Sequence, residues 1–240
     1  MSMLRHIPNT LTLLNLVSGF AATIYAIKGY NDYAAFCIMA GMMLDFSDGF
    51  AARMLKAYSD IGRDLDSLAD VVTFGIAPGA IVLTLLTSAG LTFAPAFAVA
   101  ALIPAASALR LAKFNNDTSQ STSFRGLATP GSAFIVVSLV IASEYTGHRI
   151  FDALVGSALW TGLISLFLAV MMLINTRMFS LKFTSLGWKG NEERWLFAGS
   201  SVLLFIIFRL ASLPMVMVAY IMISLLFNLL RRRREAILPS

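Results

Sequence analysis

Residues 42–74 read MMLDFSDGFAARMLKAYSDIGRDLDSLADVVTF, and the fold is decided by how this stretch is understood. It holds six of the chain's 13 acidic residues: Asp45, Asp48, Asp60, Asp64, Asp66 and Asp70. The sequence on either side is apolar enough to live in lipid, where a carboxylate is expensive and usually functional. The cluster therefore needs a physical reason.

Composition sets the frame. Of 240 residues, 58% are hydrophobic and 13% charged, with a mean hydropathy of +0.79. A soluble domain is about a quarter charged. No polar stretch is long enough for a separate soluble domain, so residues 1–240 read as one membrane-embedded unit. Runs long enough to span a bilayer, about 17–25 residues each, lie near 11–28, 33–55, 66–88, 91–113, 128–144, 151–174, 196–212 and 214–230. The expected fold is an all-α polytopic membrane helix bundle of about eight spans. Pro214 separates the last two runs, which also read as one kinked hairpin, leaving six or seven spans as alternatives. Residues 1–28 are longer than a signal-peptide core and lack a small-residue cleavage site, so they are expected to be a retained first span.

Charge gives the orientation. With eight spans, 15 of the 18 Lys and Arg fall on one side of the membrane, and only Lys28, Arg149 and Arg209 on the other. That bias predicts both termini and the acidic cluster on the cytoplasmic side. The net charge of +5 then reflects topology and anionic lipid, and does not point to nucleic acid. The single Cys37 excludes an intrachain disulfide and reads as packing.

Asp45 and Asp48 are three apart, and Asp66 and Asp70 four apart, so each pair shares one helix face. The short connection at 54–63 makes the two helices antiparallel neighbours, and four carboxylates converge at the membrane surface. A divalent cation relieves their repulsion. Oxygen ligands without His or Cys point to Mg²⁺ or Mn²⁺ at Asp45, Asp48, Asp66 and Asp70. Gly49 and Ala52 leave space beside the metal, and Arg53 and Arg63 supply positive charge for phosphate. Asp60 and Asp64 read instead as solvated partners of nearby cations, with Ser59 as a helix N-cap.

From Asp45 the chain runs D-x-x-D-G-x-x-A-R, then eight residues, then G-x-x-x-D-x-x-x-D, ending at Asp70. This resembles the signature of the CDP-alcohol phosphatidyltransferases, membrane enzymes that move a phosphatidyl group from a CDP-linked lipid to an alcohol. Eight fixed positions within 26 residues make the resemblance specific. Residues 66–79 (DSLADVVTFGIAPG), 110–117 (RLAKFNND), 124–133 (FRGLATPGSA) and, more loosely, 177–190 (RMFSLKFTSLGWKG) look like the phosphatidylserine synthase branch, as does PNTLTLLNLVSG at 8–19. Ala128 departs from that branch's G-L-P pattern, which bears on the acceptor and leaves the family untouched. The last fifty residues carry no such resemblance.

The resemblance implies a CDP-diacylglycerol donor, with Pro8, Asn9, Thr12, Asp48, Gly49, Ala52, Arg53 and Gly62 around its CDP head and Asp70 as general base. It implies an L-serine acceptor and a homodimer. His6 and His148 are remote from the cluster in sequence, which leaves a carboxylate as the natural base. Arg110, Lys113 and Asn115 are candidates for serine's carboxylate and amino group, with Asn116 and Arg125 closing the pocket. Arg110 and Lys113 read equally as charges at the end of a span, and Lys113 also as a lipid or nucleotide phosphate contact. Two rival functions stay open: the same chemistry on glycerol 3-phosphate, inositol phosphate or another alcohol, and an ion-coupled transporter. The transporter lacks an inverted repeat or paired broken helices.

Overall fold

A computed structural model describes residues 6–57, 59–116, 124–179, 187–188 and 190–237, excluding the side chains of 124, 125 and 232–237. Eleven helices form the described chain. They are α1 (Ile7–Ile27), α2 (Asn31–Leu55), α3 (Asp60–Val71), α4 (Ala77–Ser88), α5 (Phe93–Ala100), α6 (Leu102–Asn116), α7 (Thr129–Thr146), α8 (Arg149–Val155), α9 (Ala158–Leu173), α10 (Glu192–Phe208) and α11 (Ser212–Ile237). A π-helical turn, Val72–Ile76, joins α3 to α4, so that Asp60–Ser88 is one continuous rod. Two short strands, β1 (Phe124–Arg125) and β2 (Arg177–Met178), pair antiparallel.

Every expected span has a helical counterpart, with two corrections. The run at 151–174 is broken at Gly156–Ser157, where α8 and α9 meet at 76°. Ser157 caps α9 by accepting the Trp160 N–H, so the run is two helices with a sharp bend and not one straight rod. The last two runs break at Arg209–Ala211, upstream of Pro214. Pro214 sits in the first turn of α11, where a missing N–H costs no helix bond. Glu193 at the start of α10 holds Arg231 near the end of α11, so the apolar stretch Glu192–Arg231 is a hairpin and not one rod. Among the described residues, five stretches qualify to cross a membrane by length and apolarity alone, or six with the bent pair. α7 is less apolar but is enclosed by its neighbours, with ten buried side chains.

The outside of the bundle is apolar: Met43 is 72% exposed and Phe46 71%. That is the distribution expected of a lipid-facing surface, with polar groups kept inside. The interior is built from small residues, including Ala22, Ala26, Ala34, Ala35, Ala69 and Ala77, all fully buried. In lipid, helices associate by close packing, which small side chains allow. Two glycines set the closest approach. A Cβ at Gly19 would lie 2.6 Å from Thr73 Cα and 2.8 Å from Thr73 N, and one at Gly41 would lie 2.5 Å from Thr73 Cγ2. Thr73 thus wedges the π turn between α1 and α2, and its hydroxyl donates to Asn15 O at 2.9 Å. Gly75 and Gly79 do the same toward α6: a Cβ at Gly75 would stand 3.0 Å from Ser107 Cβ, and one at Gly79 3.0 Å from Pro104 Cδ.

Contacts at the helix ends give a common polarity. The starts of α1, α3 and α7 gather at one end of the bundle with the ends of α2, α6 and α9. Asp32, Tyr145 and the hairpin turn lie at the other end. Lys28, Arg149 and Arg209 all belong to that second end, as the charge count requires.

Gly19→Ala is expected to destabilise the protein by about 1–3 kcal/mol, because its new methyl meets backbone that cannot rotate away. Gly199→Ala, with open space around it, is the control and should be neutral or slightly stabilising. Thermal unfolding in detergent checks both; equal midpoints for the two variants would dismiss the wedge.

Candidate active site

Asp45, Asp48, Gly49, Ala52 and Arg53 lie along the last turns of α2, and Gly62, Asp66 and Asp70 along α3. The reversal between them is tight. Lys56 adopts a left-handed conformation (φ 49°), and the Ala57 N–H returns to Ala52 O at 3.0 Å, which closes α2. Ser59 then caps α3 by accepting the Gly62 N–H at 3.0 Å. Asp60 and Asp64 pair with Arg63 at 3.4 and 4.0 Å on the exposed surface. They are solvated partners, apart from the cluster.

Carboxylate oxygens of Asp45, Asp48 and Asp66 all lie within 4.8 Å of one another. Among the described residues no Lys or Arg forms an ion pair with any of them. Asp48 is 5% exposed, and the Thr12 hydroxyl donates to its Oδ2 at 2.6 Å. Asp70 stands one turn beyond Asp66 and is 8% exposed; the three-carboxylate group does not include it. Asp66 Oδ1 and Asp70 Oδ1 are buried with no hydrogen-bond partner. Buried oxygens are seldom left so. Three carboxylates at this spacing, with lone pairs to spare and no nitrogen or sulfur ligand, fit a small hard divalent cation.

A cavity of about 240 Å³ opens beside this group. All eight residues expected around the nucleotide (Pro8, Asn9, Thr12, Asp48, Gly49, Ala52, Arg53 and Gly62) line it. Arg63 and Asp66 also contribute. A Cβ at Gly62 would stand 3.0 Å from Ser59 Oγ and 3.1 Å from Asn9 Oδ1, so this glycine lets α3 approach α1. Gly49 is different: a Cβ there would meet only the tip of Arg53, at 3.8 Å, and would project toward the cavity. Ala57 and Ser59 complete the wall, and neither is among the residues expected there from the sequence. Their position in the reversal between two signature halves is the signal that would have found them. His6, remote from the aspartates in sequence, precedes α1 just before Pro8, so sequence distance misjudges its place; its side chain is exposed.

The residues expected around an acceptor divide. Arg110 is 8% exposed, donates from Nη1 to Thr129 Oγ1 at 3.5 Å, and keeps a buried Nε without a partner. Asp70 and Tyr220 are close enough to act on it electrostatically. Asn115 donates to Ser67 Oγ at 2.8 Å, tying the end of α6 to the helix of Asp66 and Asp70. Lys113 is exposed, and the Asn116 amide donates back to Ala112 O at 2.9 Å along its own helix. The side chain of Arg125 lies outside the described residues. A span-end charge would sit at the surface, so the burial of Arg110 favours a site role for it and not for Lys113.

Comparison with known proteins agrees with this geometry. Residues 5–171 match the model of the CDP-alcohol phosphatidyltransferase family, and the chain belongs to that family. A CDP-diacylglycerol–serine O-phosphatidyltransferase of Bacillus subtilis is 38% identical over 141 residues, covering 57% of this chain and 76% of that protein. A protein of the same name from Helicobacter pylori is 36% identical over 137 residues, covering 56% of each chain. An archaetidylserine synthase of Methanothermobacter thermautotrophicus is 31% identical over 143 residues, 58% of this chain and 60% of its own.

Asp45→Ala is expected to abolish saturable Mn²⁺ binding, and Thr12→Val to weaken it about tenfold by freeing Asp48 from its hydrogen bond. Asp64→Asn should leave binding intact. Electron paramagnetic resonance of Mn²⁺ titrated into detergent-solubilised protein reads all three, and equal affinities would discount the carboxylate group as a cation site.

Proposed function

We propose that this chain transfers the phosphatidyl group of CDP-diacylglycerol to the hydroxyl of L-serine, giving phosphatidylserine and CMP. The observation that carries the serine assignment is the buried Arg110, set near Asp70 and away from the nucleotide cavity. An Arg fork binds a carboxylate bidentately, and serine brings a carboxylate where simpler alcohols do not. Support also comes from the relatives: their names share serine as acceptor while the lipid differs between diacylglycerol and archaetidyl forms.

In this reading Asp45, Asp48 and Asp66 hold Mg²⁺ or Mn²⁺, with Asp70 contributing. The cation, when bound, neutralises the diphosphate and makes CMP a better leaving group. Pro8, Asn9, Thr12, Gly49, Ala52 and Gly62 shape the CDP cavity, and Arg53 and Arg63 balance phosphate charge at its mouth. Asp70 takes the proton of the serine hydroxyl. The serine oxygen forms a bond to the phosphorus that carries diacylglycerol, and the bond from that phosphorus to the CMP oxygen breaks, with CMP keeping the electron pair. Arg110 holds the serine carboxylate, and Asn115 steadies α6 against α3. The basic bias supports a cytoplasmic site with both termini on that side. The family resemblance supports a homodimer.

A doubly charged acceptor such as glycerol 3-phosphate would call for more buried cations than Arg110, the buried one among the described residues. A transporter would want its carboxylates at the membrane midplane, whereas these lie where helix ends meet.

Purified protein given CDP-diacylglycerol and Mn²⁺ is expected to release CMP only when serine is added. Release without serine, or preference for glycerol 3-phosphate, would overturn the assignment. Asp70→Asn is expected to lower turnover by at least about a hundredfold while CDP-lipid binding persists. Weak binding with normal turnover of what binds would make Asp70 a metal ligand and not the base.

A further inference from the structure

The family match ends at residue 171, yet the hairpin α10–α11 beyond it is built into the wall behind Arg110. Tyr220, midway along α11, donates its hydroxyl to Phe179 O at 3.1 Å. Its ring packs on Phe179 and on Phe197 of α10, with centroids 4.9 and 5.7 Å away; Phe179 and Phe197 are themselves 5.9 Å apart. Three rings from three chain segments thus fix the residue that follows β2.

From there the connection runs to Arg110. β2 pairs with β1, placing Met178 opposite Phe124 and Arg177 opposite Arg125. Gly126 follows in a left-handed conformation (φ 72°); its N–H donates to Thr176 O at 2.8 Å. A Cβ on Gly126 would stand 2.7 Å from Met172 O, so only glycine allows the strap at 124–128 to lie this close to the end of α9. The Leu127 N–H donates to Met171 O at 2.8 Å. Two residues later comes Thr129, fully buried, which accepts from Arg110. Tyr220 is therefore linked to the guanidinium through Phe179 and the strap to Thr129, and it is close enough to Arg110 to act on it electrostatically. Unpartnered buried hydroxyls mark the same region, Ser132 one turn after Thr129 and Ser224 one turn after Tyr220.

We propose that the C-terminal hairpin is a wall of the acceptor pocket, and that Tyr220 is a positioning residue that holds Arg110 and the 124–129 strap in register for the acceptor's carboxylate. The inference rests on the serine reading given above. It assigns to α10 and α11 a role in acceptor recognition that lies outside the matched family segment.

Steady-state kinetics of Tyr220→Phe, Tyr220→Ala and Arg110→Lys test it, with serine and CDP-diacylglycerol varied separately. Tyr220→Phe keeps the ring contacts and loses the bond to Phe179. It is expected to raise the serine KM about five- to tenfold, as loss of one buried hydrogen bond would. The KM for CDP-diacylglycerol should stay within about twofold, since no described side chain of the hairpin lines the cavity beside the carboxylates. Tyr220→Ala should raise the serine KM further. Should Tyr220→Ala fail to fold, the phenylalanine variant alone decides. If Arg110→Lys raises the serine KM and Tyr220→Phe does not, the hairpin inference falls and the serine reading stands. If Tyr220→Phe lowers kcat or weakens both substrates equally, the hairpin is a structural support and the inference falls. If Arg110→Lys leaves the serine KM unchanged while Tyr220→Phe raises it, Tyr220 does not act through Arg110 and the inference falls, together with the observation that carries the serine reading.

Discussion

Everything at the site depends on holding like charges together. Oxygens of Asp45, Asp48 and Asp66 within 4.8 Å, with no described ion pair to offset them, constitute an arrangement that the chain alone does not favour. At that distance each pair of unit charges repels by about 3–4 kcal/mol for an effective dielectric near 20. The packing around them must therefore be stiff enough to resist spreading. Thr73 supplies that stiffness, wedged against Gly19 of α1 and Gly41 of α2, where no side chain yields space. The π turn that carries Thr73 begins two residues after Asp70. Widened helical turns commonly sit at functional positions, and here the turn sets the rotation of α3 that points Asp66 and Asp70 inward.

The same packing separates two kinds of space. The cavity beside the carboxylates lies between the start of α1, the end of α2 and the start of α3, and is open and lined largely by small or polar residues. The region of Arg110 lies deeper, against α6, α7 and α11, and is closed. Asp70 lies between them, one turn beyond Asp66, which lines the cavity, and close enough to Arg110 to act on it electrostatically. In the proposed reaction that position is what a base requires. In that proposal the acceptor hydroxyl meets the phosphorus beside Asp70, while Asp45, Asp48 and Asp66 face the diphosphate.

Much of this is legible in the sequence because its rules are local. Helical spacing puts the aspartates on facing surfaces, the charge count gives the bundle its polarity, and Ser59 announces the start of α3. What escapes is long-range. The break in 151–174 depends on how α8 packs against α7, which hydropathy cannot register. Pro214 draws attention as a breaker, but a proline in a first helical turn breaks nothing; the reversal instead uses Arg209 at φ 49°, a residue with no sequence signal for that conformation. Lys113 and Asn116 look equivalent to Arg110 and Asn115 in RLAKFNND. In the structure they part: Lys113 is exposed near the end of α6, where helical spacing alone would keep it on the Arg110 face, and Asn116 donates back along α6.

The polarity of the bundle also explains why a lipid and an amino acid can meet at this place. Helix-end contacts and the distribution of basic residues are independent observations, one geometric and one compositional. Both assign the acidic group to the end opposite Lys28, Arg149 and Arg209. A carboxylate cluster on a neutral or acidic rim would repel a diphosphate lipid headgroup and lack counter-charge. On a basic rim, anionic headgroups are concentrated within about a Debye length of the surface, and the cluster stands inside that layer. Arg53, Lys56 and Arg63, exposed near the carboxylates, offset part of their charge as seen from a distance. Attraction at long range and cation binding at short range thus call for opposite charges, and the chain satisfies both by burying one set and exposing the other.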